Sequence, residues 1–174
     1  MQPKLQKEFE RWRAQLPTDY PSERLCVGPE EVLRAHFLIA DYFISIGEED
    51  DFLDIGPRSV DLLLSAVDRQ HVGIGGARKW NTLFELTATL FYGLVKNHAF
   101  HDANKRTALL VALHQLDRGK RIPTVKHTEL DELAVRTARN SLAEYPVYES
   151  FAGETDADVR FLARQFKRIT REVD

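Results

Sequence analysis

Two strongly apolar helical stretches, separated by a short charged connection, constrain this chain more than anything else in it. The first, from about Thr82 to Asn97, carries Leu83, Phe84, Leu86, Ala88, Leu90, Phe91, Leu94 and Val95. The second, from about Lys105 to Arg118, carries Ala108, Leu109, Leu110, Val111, Ala112, Leu113 and Leu116 and stops at Gly119. In both, the apolar residues cover more than one stripe. A helix of that kind has to be enclosed by other helices. The chain is 174 residues long, enough to bury a proper core, and no repeat or Ser/Gly-rich linker divides it. The expectation is an all-α bundle in a single domain over residues 1–174.

The remaining segments read as the helices that do the enclosing. Phe9, Trp12 and Leu16 give the N-terminal segment a modest apolar stripe. Pro29 opens a stronger helix, with Glu30 and Glu31 in its first turn, which runs through Val32, Leu33, His36, Phe37, Ile39 and Ala40 to Gly47. The acidic patch Glu48 to Asp51 reads as an exposed connection. A further helix starts near Pro57 or Ser59. Later ones start at Thr128 and Thr155, each followed by acidic residues. The segment His71 to Lys79 holds Gly73, Gly75 and Gly76 and cannot be a comfortable helix. It is the best place in the chain for strands, as a short, mobile hairpin.

Composition narrows the function. The formal net charge is −3, which argues against wrapping a nucleic-acid backbone, and no direct nucleic-acid partner is expected. Cys26 is the only cysteine, so there is no internal disulfide and no Cys-based metal cluster. Met1 to Leu16 lacks the apolar centre of a signal peptide, and no apolar run approaches the ~20 residues that span a bilayer. A cytoplasmic protein with no membrane partner is expected.

The connection between the two apolar helices reads His98-Ala-Phe-His-Asp-Ala-Asn-Lys-Arg106. One reading is a solvated loop in which Asp102 or Asn104 caps the second helix. A functional reading accounts for more residues. The start of a helix offers unbonded N–H groups and a positive dipole end, an anion site that Lys105 and Arg106 reinforce. Asn104 can hydrogen-bond an anion or its surroundings. Asp102 is suited to Mg²⁺, and His98, ending the previous helix, can take a proton from an attacking hydroxyl. Phe100 serves as an apolar anchor for the loop. Base, metal carboxylate and phosphate clamp are the parts that in-line phosphoryl-type transfer requires.

This stretch resembles the Fic/Doc family motif, H-x-F-x-(D/E)-(A/G)-N-(G/K)-R, at His98, Phe100, Asp102, Ala103, Asn104, Lys105 and Arg106. Weaker similarity runs from about Gly56 to Ile122 and takes in the glycine-rich segment as the family's substrate-binding flap. Ala103 and Lys105, followed by Thr107-Ala108-Leu109, look like the Doc (death-on-curing) branch. The resemblance implies a Fic/Doc-like helical bundle with a β-hairpin flap, ATP as co-substrate and Mg²⁺ as cofactor. It implies that His98 is the general base and that Asp102 holds Mg²⁺. Asn104 and Arg106 contact the nucleotide phosphates, beside Ala103 and Lys105. Most family members have glycine at the positions of Ala103 and Lys105 and transfer AMP to a protein hydroxyl. The Doc branch shares the substitution seen here and is associated with γ-phosphate transfer to a threonine of elongation factor Tu. Phosphotransfer is therefore favoured, AMP transfer is the alternative, and a separate antitoxin protein is the expected regulator.

Two other classes are weaker. His101-Asp102 is the dipeptide of HD-type metal phosphohydrolases, but nothing in the spacing of His36, His71 or His114 selects further ligands. A non-catalytic relative would have lost the His or the carboxylate, and both are present. Ser45 to Glu49 and Ser150 to Glu154 each miss the last position of the self-inhibitory (S/T)-x-x-x-E-(G/N) pattern, since Asp50 and Thr155 follow.

Overall fold

The computed structural model describes residues 1–47 and 55–173. Seven α-helices are found among them: α1 Pro3–Arg13, α2 Pro29–Ser45, α3 Val60–Asp68, α4 Leu83–Lys96, α5 Asn104–Arg118, α6 His127–Ala138 and α7 Ala157–Arg168. Two small antiparallel pairs accompany them, β1 Gly73–Ile74 with β2 Ala77–Arg78, and β3 Arg121–Pro123 with β4 Thr170–Glu172. The all-α expectation holds.

Helix α4 lies at the centre, packed against α3, α5, α6 and α7. Its buried Leu86, Ala88, Leu90, Phe91, Leu94 and Val95 point to more than one neighbour, as a helix apolar on several sides must. Phe91 meets Phe166 of α7 edge to face, with ring centroids 5.4 Å apart. Burying one such ring is worth roughly 2–3 kcal/mol. Gly93 sets the approach of α3, because a Cβ there would stand 3.1 Å from the Ala66 backbone and 2.6 Å from the Arg69 side chain.

Local signals fix the helix starts. Thr82 and Glu85 cap α4 reciprocally: the Thr82 hydroxyl accepts from the Glu85 N–H at 3.3 Å and the Glu85 carboxylate accepts from the Thr82 N–H at 3.0 Å. Pro29 is the first residue of α2, and the Glu31 carboxylate accepts from the Gly28 N–H at 2.9 Å. The Ser59 hydroxyl accepts from Asp61 N–H to start α3. Two expected starts shift. Helix α6 begins at His127 after Lys126, and α7 begins after Asp156, so Thr128 and Thr155 are not the caps.

The hairpin forms where the glycines predict it. Gly73 pairs with Arg78 and Ile74 with Ala77, and Gly75 and Gly76 between them both have positive φ, 60° and 81°. Two left-handed residues in a two-residue loop make the turn type whose twist suits a hairpin. The β3–β4 pair was not foreseen. Its strands lie far apart in sequence, and only the packing of α7 returns Thr170 to Pro123. The acidic patch Glu48 to Asp51 lies outside the described residues.

Candidate active site

The connection from α4 to α5 alternates between solvent and core. His98 is exposed, Ala99 and Phe100 are buried, His101 and Asp102 are exposed, and Ala103 is buried again. Left-handed backbone stands at both ends, His98 with φ 47° and Ala103 with φ 55°. A non-glycine residue there costs on the order of 1–2 kcal/mol. Those turns throw His98 off the end of α4 and aim the N-terminus of α5 back beside it.

Several contacts hold this shape. Phe100 is 1% exposed and pairs across an isolated β-bridge with Pro57, while Arg58 N–H donates to Ala99 C=O at 2.7 Å. The Asn104 amide spans the loop: its Oδ1 accepts from Phe100 N–H at 2.9 Å and its Nδ2 donates to Phe100 C=O at 2.8 Å. These bonds tie both polar ends of the Asn104 amide to the loop backbone. Asp102 Oδ1 accepts from Ala103 N–H at 2.5 Å, and neither Asp102 nor Asn104 is the N-cap of α5. That position belongs to Ala103, without a side-chain cap. The helix ladder begins with Thr107 N–H to Ala103 C=O, so the preceding amides of Asn104 and Lys105 are not consumed by it.

Helix α2 supplies two residues that the sequence did not single out for this site. The buried His36 ring stacks on Phe100, and its Nδ1 lies 3.2 Å from the Thr107 hydroxyl. Burial drives its pKa down to about 3; the Asp102 charge opposes the shift and His101 adds to it. The Arg106 guanidinium lies 4.0 Å over the Phe43 ring. No periodic signal could have revealed either contact, since both depend on how α2 crosses α5.

His98, Asp102, Ala103, Asn104, Lys105 and Arg106 line one cavity of about 280 Å³, with Val95, His101 and Ala138. Six of the nine sequence-selected residues thus share a wall. The three flap glycines are not part of that lining. A larger cavity, about 550 Å³, lies between the Arg13–Glu31 segment and Arg118, away from the motif. Chemistry rather than size marks the smaller one: a hard carboxylate, two cations, a helix N-terminus and two imidazoles converge there. Among the described residues Asp102 is the one carboxylate in that lining, and exposed oxygen of this kind suits a hard cation.

The flap is held at its base. Arg78 grips the Glu23 carboxylate with two N–H groups, Lys79 pairs with Asp156 at 2.5 Å, and Trp80 is buried. These contacts anchor the base, whereas Ile74 near the tip is 90% exposed.

The chain matches the Fic/DOC family over residues 27–116, just over half its length. It belongs to that family. The match starts at Val27, so α2, with His36 and Phe43, falls inside it, well before the Gly56 at which the motif-based similarity begins. Membership carries ATP-using transferase activity in general, and nucleotide binding with it. A search of curated proteins returns no match. Among the described residues no helix is long and apolar enough to cross a membrane.

The competing assignments fare poorly on this geometry. His36 is buried against Phe100, His71 faces Glu23, and His114 faces Glu31 at 3.5 Å. Among the described residues no His/Asp cluster forms around His101-Asp102 for a phosphohydrolase metal. Glu154 pairs with Arg160 at 3.6 Å. Glu49 lies outside the described residues.

Proposed function

We propose that this chain is a Doc-type toxin that transfers the γ-phosphate of ATP to a Ser or Thr hydroxyl of a target protein such as elongation factor Tu. One observation carries the choice: Ala103 takes the left-handed position before α5, and Ala103 and Lys105 are both among the residues that line the cavity. With glycine at both positions, backbone N–H groups can approach phosphates closely. Here a methyl narrows that approach and a cation takes up phosphate space. Fewer phosphates fit in the depth of the cavity, and the terminal one is presented to His98.

In this reading His98 accepts the proton of the target hydroxyl. The hydroxyl oxygen bonds to the γ-phosphorus as the bond to the bridging β–γ oxygen breaks, and ADP departs with that electron pair. Arg106, Lys105 and the α5 N-terminus balance the phosphate charge. Asp102 would hold Mg²⁺, which when bound would add positive charge beside the phosphates. Asn104 contributes by fixing the loop. The flap tip, with free strand edges, docks an extended segment of the target, and a separate antitoxin protein covers the site when the activity is silenced.

The test is to incubate the protein with a cell lysate and ATP labelled at the α or, separately, the γ position. The γ label should reach protein, and intact-mass measurement of the target should show one added phosphoryl group. An added adenylyl group would overturn phosphotransfer in favour of AMP transfer. Ala103→Gly with Lys105→Gly should weaken phosphotransfer.

A further inference from the structure

On the far side of the flap from its tip, three side chains with metal-ligating atoms meet. Glu23 and Cys26 stand three residues apart in the turn before α2, where Cys26 N–H donates to Glu23 C=O at 3.1 Å. His71 ends the 3-10 turn Arg69–His71 that follows α3. Their ligand atoms all lie within 4.8 Å of one another. Cys26 Sγ is 3.7 Å from Glu23 Oε2, and His71 Nδ1 is 3.5 Å from Glu23 Oε1. We propose that Glu23, Cys26 and His71 form a binding site for a zinc-class divalent transition-metal ion.

The separations match those of groups that share a metal ion, with the Cys26 thiol donating to Glu23 Oε2 and His71 Nδ1 facing Oε1. Tetrahedral bonding at ordinary zinc bond lengths puts sulfur and carboxylate oxygen roughly 3.6 Å apart, and nitrogen and oxygen roughly 3.4 Å apart. A nitrogen–oxygen separation of 3.5 Å lies beyond the usual hydrogen-bond range. The other imidazole nitrogen, Nε2, is buried without a hydrogen-bond partner. An ion would give Nδ1, which faces Glu23 at 3.5 Å, a ligand bond, while Nε2 keeps no partner. Thiolate, imidazole and carboxylate together select zinc-class ions over Mg²⁺ or Ca²⁺. Glu23 and Cys26 also line the 550 Å³ cavity, which provides an entry path and room for a water as fourth ligand. On binding, the Cys26 thiol releases its proton to solvent and sulfur forms the metal bond.

Arg78 of β2 holds the same carboxylate. Ion and guanidinium therefore compete for Glu23, and an occupied site loosens the base of the flap. This site stands apart from the His98 cavity, so its test does not depend on the proposed activity.

The experiment titrates the purified, metal-free chain with Co²⁺ and follows the thiolate-to-cobalt charge-transfer band. One equivalent should bind, and Zn²⁺ should displace it. Because Cys26 is the only cysteine, the band can report no other residue of the chain. His71→Gln and Glu23→Gln, with folding checked by circular dichroism, should each weaken binding at least about tenfold, no less than the loss of an outer-shell partner. Arg78→Gln should tighten it. Absence of the band in the wild-type chain overturns the proposal, whatever the variants do. Undiminished affinity in His71→Gln or Glu23→Gln overturns it as well, and unchanged affinity in Arg78→Gln overturns the competition.

Discussion

The imidazole of His36 lies flat on the ring of Phe100, with centroids 3.9 Å apart and planes 13° from parallel. The neutral ring suits this place, because a charged one would be stripped of water. With the folded pKa lowered to about 3, the unfolded chain binds more protons than the folded one between that value and the ordinary 6.5. Stability from this group is therefore present above about pH 6.5 and is lost as pH falls toward 3. His36→Phe keeps an aromatic partner for Phe100 but removes the titration. Between pH 7 and pH 5 the wild-type chain should lose about 2 kcal/mol more than this variant, measured by denaturant unfolding. Parallel losses in the two proteins would refute the assignment.

Asn104 ties the start of α5 to Phe100 through two hydrogen bonds, each worth about 1 kcal/mol net. Asn104→Ala should cost about 2 kcal/mol of stability, read as a lower denaturant midpoint at constant slope. A loss within about 0.5 kcal/mol, as for an ordinary surface position, would mean that the bridge contributes little.

His98 projects from the end of α4 and is exposed, so it fills no core volume. His98→Ala should leave the unfolding midpoint nearly unchanged and reduce transfer by ~10²–10⁴. A folded variant within a few-fold of wild-type activity would remove His98 from the chemistry.

Asp102→Asn retains an oxygen for the Ala103 N–H but removes the charge that holds a hard cation. Transfer should fall, and raised Mg²⁺ should restore it only in part. An unaltered Mg²⁺ dependence would place the metal ligand elsewhere.

Gly75 and Gly76 both occupy left-handed backbone, which a β-branched side chain resists strongly. Gly75→Val with Gly76→Val should distort the flap tip and reduce modification of a protein target. ATP affinity, measured by calorimetry, should stay close to wild type because neither glycine lines the His98 cavity. An equal loss of both would end this division of labour.

What the sequence determined alone is what depends on neighbours along the chain. The apolar faces of α4 and α5, the Thr82–Glu85 cap, the Pro29 start and the glycine turn each follow from residues within a few positions of one another. The motif His98 to Arg106 is of the same kind, so its residues and its place between two helices were legible. Even there, only the backbone revealed that Ala103 rather than Asp102 or Asn104 caps α5, and that the Asn104 amide faces the loop. Tertiary structure decided the rest: that α2 lays His36 on Phe100 and Phe43 under Arg106, that α7 returns Thr170 to Pro123, and that Glu23 meets His71 and Arg78. These pairs are remote in sequence. Their partners are chosen by how helices pack, and packing energy is spread over a whole buried face rather than written at either residue.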